Sequence, residues 1–118
     1  MTPELVLTAM SGPEDGRVLR FAADSEVVFG RGQGCAVVLS NDPEVSRRHA
    51  RISWREGKWW LEDLASTNGV FIHEFSDSTK VDGGAKLSVG DIFRVGRSRF
   101  RLESGKDTAL LRKAVAEA

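Results

Sequence analysis

The feature that most constrains the fold of this chain is the grouping of its apolar residues into short bursts. About ten bursts can be counted, separated by Gly, Asp, Asn and Ser, the residues that favour turns. They are ELVLTA, RVLRF, EVVFG, AVVL, HARISW, KWWLEDL, GVFI, KLSV, DIFRVG and SRFRLE. Such a pattern is typical of a β-sandwich or β-barrel. In a chain of 118 residues it predicts one all-β domain.

The stretch ARISWR, residues 50–55, shows the strand period most clearly. Its apolar side chains occupy alternate positions and would face the core, while Arg51, Ser53 and Arg55 would face the other side. Glu56-Gly57 follows at once, and glycine accepts the positive φ that tight hairpin turns need. We therefore predict a two-residue hairpin turn at this position.

Composition narrows the functional classes. Seventeen Lys and Arg balance seventeen Asp and Glu, so no overall positive field draws the chain to nucleic acid or to an anionic membrane. The single cysteine, Cys35, cannot form an internal disulfide, and the N-terminus does not have the pattern of a signal peptide. No apolar run approaches the roughly 20 residues that span a bilayer. We expect a cytoplasmic location and no membrane partner.

Three turn segments carry an unusual set of polar residues. They are GRGQGC from Gly30, NDPEVSRRH up to His49 and ASTNG up to Gly69, and each follows a short strand. If the intervening strands run antiparallel, the three segments meet at one end of the sandwich. That end would then present Arg31, Ser46, Arg47, Thr67 and Asn68.

These side chains suit an anion with several oxygens. A phosphate monoester requires charge-assisted hydrogen bonds from arginine together with neutral donors. Arg31 stands between two glycines, which allow a close backbone approach, and its guanidinium is planar and permanently charged. The Asn68 amide both donates and accepts, as a peptide group does. One anion site beside one backbone clamp indicates a phosphorylated peptide as ligand.

The same segments resemble the forkhead-associated (FHA) family of phosphothreonine-binding domains. The resemblance is carried by Gly30-Arg31, by SRRHA from Ser46, by LEDLASTNGVFI from Leu61 and by GDIFRVG from Gly90. It covers residues 5–103, and the motifs occur in the order and spacing of the family.

The resemblance implies an eleven-stranded antiparallel β-sandwich whose loops at one end bind phosphothreonine within an extended peptide. Arg31 and Ser46 would contact the phosphate, and Arg47 and Thr67 would add phosphate or loop contacts. Asn68 would hydrogen-bond the peptide backbone. The expected partners are a protein that contains phosphothreonine and an upstream Ser/Thr kinase.

The family pattern also gives structural roles to three residues. Gly30 and His49 would be structural positions, with His49 linking the binding loops from within, and Gly69 would permit the turn after Asn68. The chain departs from the pattern in the polar connection over residues 73–85, where the family often has Asn-Gly after the strand that matches VFI. The strands there cannot be assigned from sequence.

The boundary of the predicted domain is the composition change after Glu103. We expect an FHA domain over residues 1–104 and a C-terminal tail over residues 105–118. In the tail Asp107 would cap a short helix, with Leu110 and Leu111 on one side, or the tail would be a linker.

Three other classes of function were weighed against peptide binding. An enzyme or a zinc site would need a nucleophile motif, paired carboxylates or a ligand cluster, so we expect no catalytic residue, no metal and no cofactor. The many arginines could instead form stripes that bind nucleic acid, but the balanced charge disfavours this. Phosphate-independent scaffolding or oligomerisation through a sheet face stays an alternative, and it would be indifferent to Arg31.

Overall fold

The computed structural model describes residues 4–12, 15–22, 26–74 and 77–104, and these contain eleven strands and no helix. None of the described residues therefore forms a helix that could cross a bilayer. The strands are β1 (Leu5–Ser11), β2 (Val18–Phe21), β3 (Val27–Gly30), β4 (Val37–Val38), β5 (Ala50–Arg55), β6 (Lys58–Asp63), β7 (Val70–Glu74), β8 (Asp77–Lys80), β9 (Gly84–Leu87), β10 (Ile92–Val95) and β11 (Ser98–Ser104). The predicted all-β, eleven-stranded fold is confirmed. The helix predicted from Asp107 lies outside the described residues.

The strands form two sheets. The six-stranded sheet has the order β2-β1-β11-β10-β7-β8, and the five-stranded sheet has the order β4-β3-β5-β6-β9. Neighbouring strands are antiparallel, except that the two-residue strand β4 runs parallel to β3. The arrangement is a β-sandwich with an apolar layer between the two sheets.

The core of the sandwich is built on three phenylalanines. Phe29 of β3 packs with its ring centroid 5.6 Å from Phe93 of β10 and 5.4 Å from Phe100 of β11. All three are fully buried, together with Leu7, Leu61 and other apolar residues of both sheets. Burying one such side chain contributes about 1.5–3 kcal/mol, so these inward positions hold the two sheets together.

The hairpin between β5 and β6 has the predicted form. Arg55 pairs with Lys58, which leaves Glu56 and Gly57 as a two-residue turn. Their φ angles are 54° and 75°, and positive values at both central positions define the type I′ turn that matches the twist of paired strands. The prediction from Glu56-Gly57 is confirmed.

The sequence pattern missed one strand, β8. Asp77–Lys80 pairs with β7 at the edge of the six-stranded sheet, from Phe71 opposite Lys80 to Glu74 opposite Asp77. This segment, DSTK, contains no apolar residue, and the described side chains in it are exposed. An exposed edge strand is specified by backbone pairing and not by apolar alternation, so counting apolar bursts gave ten strands instead of eleven.

Three loops lie at the same end of the sandwich. They are the β3–β4 loop (31–36), the β4–β5 loop (39–49) and the β6–β7 loop (64–69). The turn between β10 and β11 lies there as well, since Arg97 in it bonds to Asp42 of the β4–β5 loop. We call this the loop end. Leu5 pairs with Ser104 at the opposite end of β1 and β11.

Candidate functional site

The β3–β4 loop is held against the β4–β5 loop by hydrogen bonds to two consecutive carbonyls. The Arg31 N–H donates to the Ser46 carbonyl at 3.0 Å, and the Gly32 N–H donates to the Arg47 carbonyl at 3.1 Å. The Cys35 Sγ lies 3.2 Å from the same Arg47 oxygen. Arg31 therefore emerges directly beside Ser46, although the two residues come from different loops.

Gly30 makes this close approach possible. A Cβ built on Gly30 would lie 2.1 Å from the Arg47 carbonyl oxygen, well inside any tolerated contact. Because the obstacle is backbone, it cannot rotate away as a side chain would. Gly30, predicted as a structural position, lies where no other residue fits.

His49 links the β4–β5 loop to the β6–β7 loop from the interior. It is fully buried, its Nδ1 accepts a hydrogen bond from the Ser46 N–H at 3.0 Å, and its Nε2 lies 2.7 Å from the Gly69 carbonyl. Since Nδ1 is the acceptor, the ring proton is on Nε2 and is donated to Gly69. Both ring nitrogens are thus used in holding the loops, which leaves neither of them for proton transfer.

The β6–β7 loop places Thr67 and Asn68 beside the β4–β5 loop. The Thr67 N–H donates to Ser46 Oγ at 3.1 Å, so the Ser46 hydroxyl keeps its own proton for donation. Asn68 Nδ2 donates to the Glu44 carbonyl at 2.9 Å, which fixes the orientation of the amide. Its Oδ1 and its second N–H remain available for hydrogen bonds to a ligand. Gly69 follows with φ 84°, a conformation that favours glycine.

Asp42 is a residue of this site that sequence reasoning missed. It is 1% exposed, and its Oδ1 accepts from the Glu44 N–H at 3.1 Å. Its Oδ2 accepts from the Arg97 N–H at 2.7 Å and lies 3.4 Å from Ser98 Oγ. The carboxylate thereby holds the β4–β5 loop against the turn between β10 and β11. The available signal was the Asp-Pro pair in NDPE, a frequent loop-turn signature.

All five residues predicted to contact the ligand lie on the three loops, and hydrogen bonds connect these loops to one another. Arg31 and Arg47 are exposed, and within the described ranges no hydrogen bond or ion pair engages either guanidinium. The free Arg31 guanidinium, the Ser46 hydroxyl and the exposed Thr67 suit a doubly charged anion. The fixed Asn68 amide lies next to them and suits a peptide group. Arg47 follows Ser46 in the chain and lines a hollow with Val28, Cys35 and Arg48. The set is Arg31, Ser46, Arg47, Thr67 and Asn68.

Comparison with known proteins gives a consistent picture. The family model of the FHA domain matches residues 27–96. The FHA domain-containing protein FhaB of Mycobacterium tuberculosis is 35% identical over 80 residues, which are 68% of this chain and 48% of FhaB. The chain thus spans about half the length of this relative.

Solved structures agree with the sequence comparisons. An FHA domain described in a study of phosphothreonine-dependent interactions superposes with a TM-score of 0.70 at 31% identity, covering 85% of this chain and 95% of that domain. Mycobacterium tuberculosis EmbR, solved with a low-affinity phosphopeptide, gives a TM-score of 0.71 at 27% identity and covers 86% of this chain and 24% of EmbR. With a family model that matches more than half of its residues, the chain belongs to the FHA domain family.

Proposed function

We propose that this chain binds protein segments that carry phosphothreonine. The observation that supports this best is the gathering of Arg31, Ser46 and Asn68 from three loops onto one surface, with the Arg31 guanidinium unpaired within the described part of the chain. A phosphate held by arginine and serine, next to an amide that holds the peptide backbone, forms a complete recognition unit.

Each residue has a distinct role in the proposal. Arg31 and Ser46 bind the phosphate oxygens, and Arg47 and Thr67 add a second charge and a hydroxyl at its edge. Asn68 binds the peptide main chain beside the phosphothreonine. Gly30, His49 and Gly69 hold the loops in the conformation that presents these groups.

Similar proteins support the binding of phosphorylated peptides. EmbR was solved with a phosphopeptide, and the FHA domain of the phosphothreonine study binds in a phosphothreonine-dependent way. An FHA domain is a protein-interaction module, so the proposal assigns no reaction and no cofactor to the chain. The partner would be a protein phosphorylated by a Ser/Thr kinase, and the predicted cytoplasmic location belongs to the same proposal.

A peptide titration tests the function directly. Calorimetry would compare one peptide in three forms, carrying phosphothreonine, phosphoserine or unmodified threonine, taken from the best hits of an oriented phosphothreonine library. We expect measurable binding of the phosphothreonine form and none of the unmodified form. Equal binding of all three forms would contradict the proposal.

The first variant to test is Arg31→Ala. A hydrogen bond to a charged group contributes about 1.5–3 kcal/mol, so affinity for the phosphopeptide should fall by about tenfold to about 150-fold. Arg55→Ala is the matched control, because Arg55 is also an exposed arginine but lies at the far end of β5, where it pairs with Glu62 at 3.2 Å. It should bind as the wild type does.

The same pair of variants separates the alternatives. Partner binding by a scaffold that uses a sheet face would be unchanged in Arg31→Ala.

Binding of nucleic acid is disfavoured by the charges on the sheet, because the outer face of the five-stranded sheet is not uniformly basic. Arg51 bonds to Glu62 at 2.7 Å, and this bond raises the pKa of Arg51 above its usual value. Such mixed charge disfavours a phosphate backbone as ligand.

A further inference from the structure

A second group of arginines lies on the outer face of the six-stranded sheet, next to the loop end. A groove of about 530 Å³ runs there. It is lined by Arg94 of β10, Arg99 of β11 and Arg97 of the turn between them, together with Ser11, Ser78 and the acidic Glu44. We call it the arginine groove. None of the residues assigned to phosphothreonine binding lines it.

The arginines of this groove are placed against each other in an unfavourable way. Arg94 of β10 lies directly opposite Arg99 of β11 in the antiparallel register. Like charges at directly opposite positions destabilise a sheet. Both charges also act on His73 of β7. The pKa of His73 is lowered from its usual value, first by burial and then by Arg99 and Arg94. The groove is therefore a region of positive potential.

Little in the described part of the chain neutralises this charge. Arg99 is exposed and has no hydrogen-bond or ion-pair partner among the described residues. Arg97 lies 3.5 Å from Glu44, and both side chains are largely exposed. By contrast, Arg101, two residues further along β11, is paired with Glu103 on its own strand. An added anion would thus find unpaired donors at Arg99 and not at Arg101.

The Arg94 side chain is already oriented. Its guanidinium lies 4.4 Å from the centroid of the Phe71 ring and donates to the Gly96 carbonyl at 3.0 Å. Stacking on one side and one hydrogen bond leave the other N–H groups of the fork to bond elsewhere. Less conformational entropy is lost when such a group binds an anion.

The arginine groove is continuous with the proposed phosphothreonine site. Glu44 lines the groove, and its carbonyl accepts the hydrogen bond from Asn68. Glu44 and Ser46 are two residues apart, so their Cα atoms are separated by at most about 7 Å. A peptide clamped by Asn68 could therefore place a neighbouring side chain in the groove without leaving the surface.

We propose that the arginine groove binds a second anionic group of the same phosphopeptide, either a carboxylate or a second phosphate flanking the phosphothreonine. The inference rests on the proposed function and names the class of ligand that the site prefers. Its physical basis is the repulsion between Arg94 and Arg99. An anion bound between the two guanidinium groups would attract both and would offset this repulsion. The groove would thus select acidic or doubly phosphorylated segments.

The test uses three peptides around one phosphothreonine: a neutral one, one with an aspartate scanned through the flanking positions, and one with a second phosphothreonine at the best position found. The variant Arg99→Gln is compared with Arg101→Gln, which removes the same charge from the same strand. Fluorescence anisotropy gives the affinities, and circular dichroism checks that both variants are folded at the temperature of the measurement.

We expect the second anion to raise wild-type affinity about threefold to tenfold, as partly exposed ion pairs do, with the two anionic peptides showing which group is preferred. Arg99→Gln should remove this gain and leave the neutral peptide unchanged, and Arg101→Gln should keep it. Equal losses in both variants, or no gain in the wild type, would overturn the inference alone. Failure of the neutral phosphothreonine peptide to bind would overturn the proposed function.

Discussion

At the scale of single residues, the site depends on one position without a side chain. Gly30 lies under the Arg47 carbonyl, and the two loops that carry Arg31 and Ser46 meet only because nothing separates them there. Its φ is not in the left-handed region, so the requirement is for space and not for backbone freedom. A methyl group is enough to push the loops apart.

We therefore predict that Gly30→Ala destabilises the domain by more than about 2 kcal/mol, since overpacking against backbone forces a shift of the chain. Gly34→Ala is the matched control in the same loop, because a Cβ there meets nothing within 4 Å. It should change stability by less than about 1 kcal/mol. Denaturant unfolding measures both, and equal losses would show that the Arg47 contact is not the cause.

Residue types at the site were predictable from sequence to different degrees. Arg31, Ser46 and Asn68 stand in short motifs, so their residue types alone indicate a charged donor, a hydroxyl and an amide. Asp42 is different, because its partners Arg97 and Ser98 lie 55 and 56 positions away. No local pattern reveals that a carboxylate accepts hydrogen bonds from a distant turn. The sequence motifs therefore predicted no role for the stretch NDPE.

At the scale of elements, the β4–β5 loop is fixed at both sides. His49 holds it to Gly69 on the interior, and Asp42 holds it to the turn between β10 and β11. Ser46 and Glu44 lie between these two points. The loop can therefore present its binding groups in one conformation before any ligand arrives, which reduces the entropic cost of binding.

Removing one of these two points should weaken both the loop and the site. We predict that Asp42→Ala costs about 2–4 kcal/mol of stability, because two partly buried backbone N–H donors lose a charged acceptor and a buried carboxylate is removed. Phosphopeptide affinity should fall as well, although Asp42 does not face the ligand. Glu44→Ala is the control, since its exposed pair with Arg97 at 3.5 Å should contribute less than about 1 kcal/mol. Thermal unfolding and calorimetry decide, and similar stabilities of the two variants would contradict this role.

Elements that bury one face were predictable, and elements that bury none were not. The turn at Glu56-Gly57 and most of the alternation in β5 follow from the period of a half-buried strand. Ser53, which was expected to face away from the core, is buried. The strand β8 is specified only by its pairing with β7, so the connection over residues 73–85 was left unassigned from sequence. Its described residues contain the end of β7, the strand β8 and the start of β9.

At the scale of the whole molecule, balanced charge conceals an uneven distribution. Seventeen basic and seventeen acidic residues cancel over the chain, yet Arg31, Arg47 and the arginine groove lie at or beside the loop end. Of the described arginines farther away, four form ion pairs with glutamates: Arg20, Arg51, Arg55 and Arg101. Net charge alone therefore did not reveal the local field at the loop end.

The burial of His73, together with the nearby charges of Arg99 and Arg94, predicts that this residue contributes to acid sensitivity. The pKa of His73 is lowered in the folded protein, so the unfolded chain takes up this proton first as the pH falls below about 7. Stability is lost in that direction. His73→Gln should therefore lose less of its unfolding temperature between about pH 7 and about pH 5.5 than the wild type does. Parallel melting curves for the two proteins would contradict the prediction.

The pairing of Leu5 with Ser104 has a consequence for self-recognition. Both residues stand on the order of 20 Å from the three loops, the length of a seven-residue strand such as β11. A phosphorylated threonine joined to either residue by only a few peptide units could not return along the sandwich to its own receptor surface. It could reach the binding loops of a neighbouring molecule. A short segment carrying phosphothreonine would therefore favour binding between molecules, and only a long segment would permit binding within one molecule.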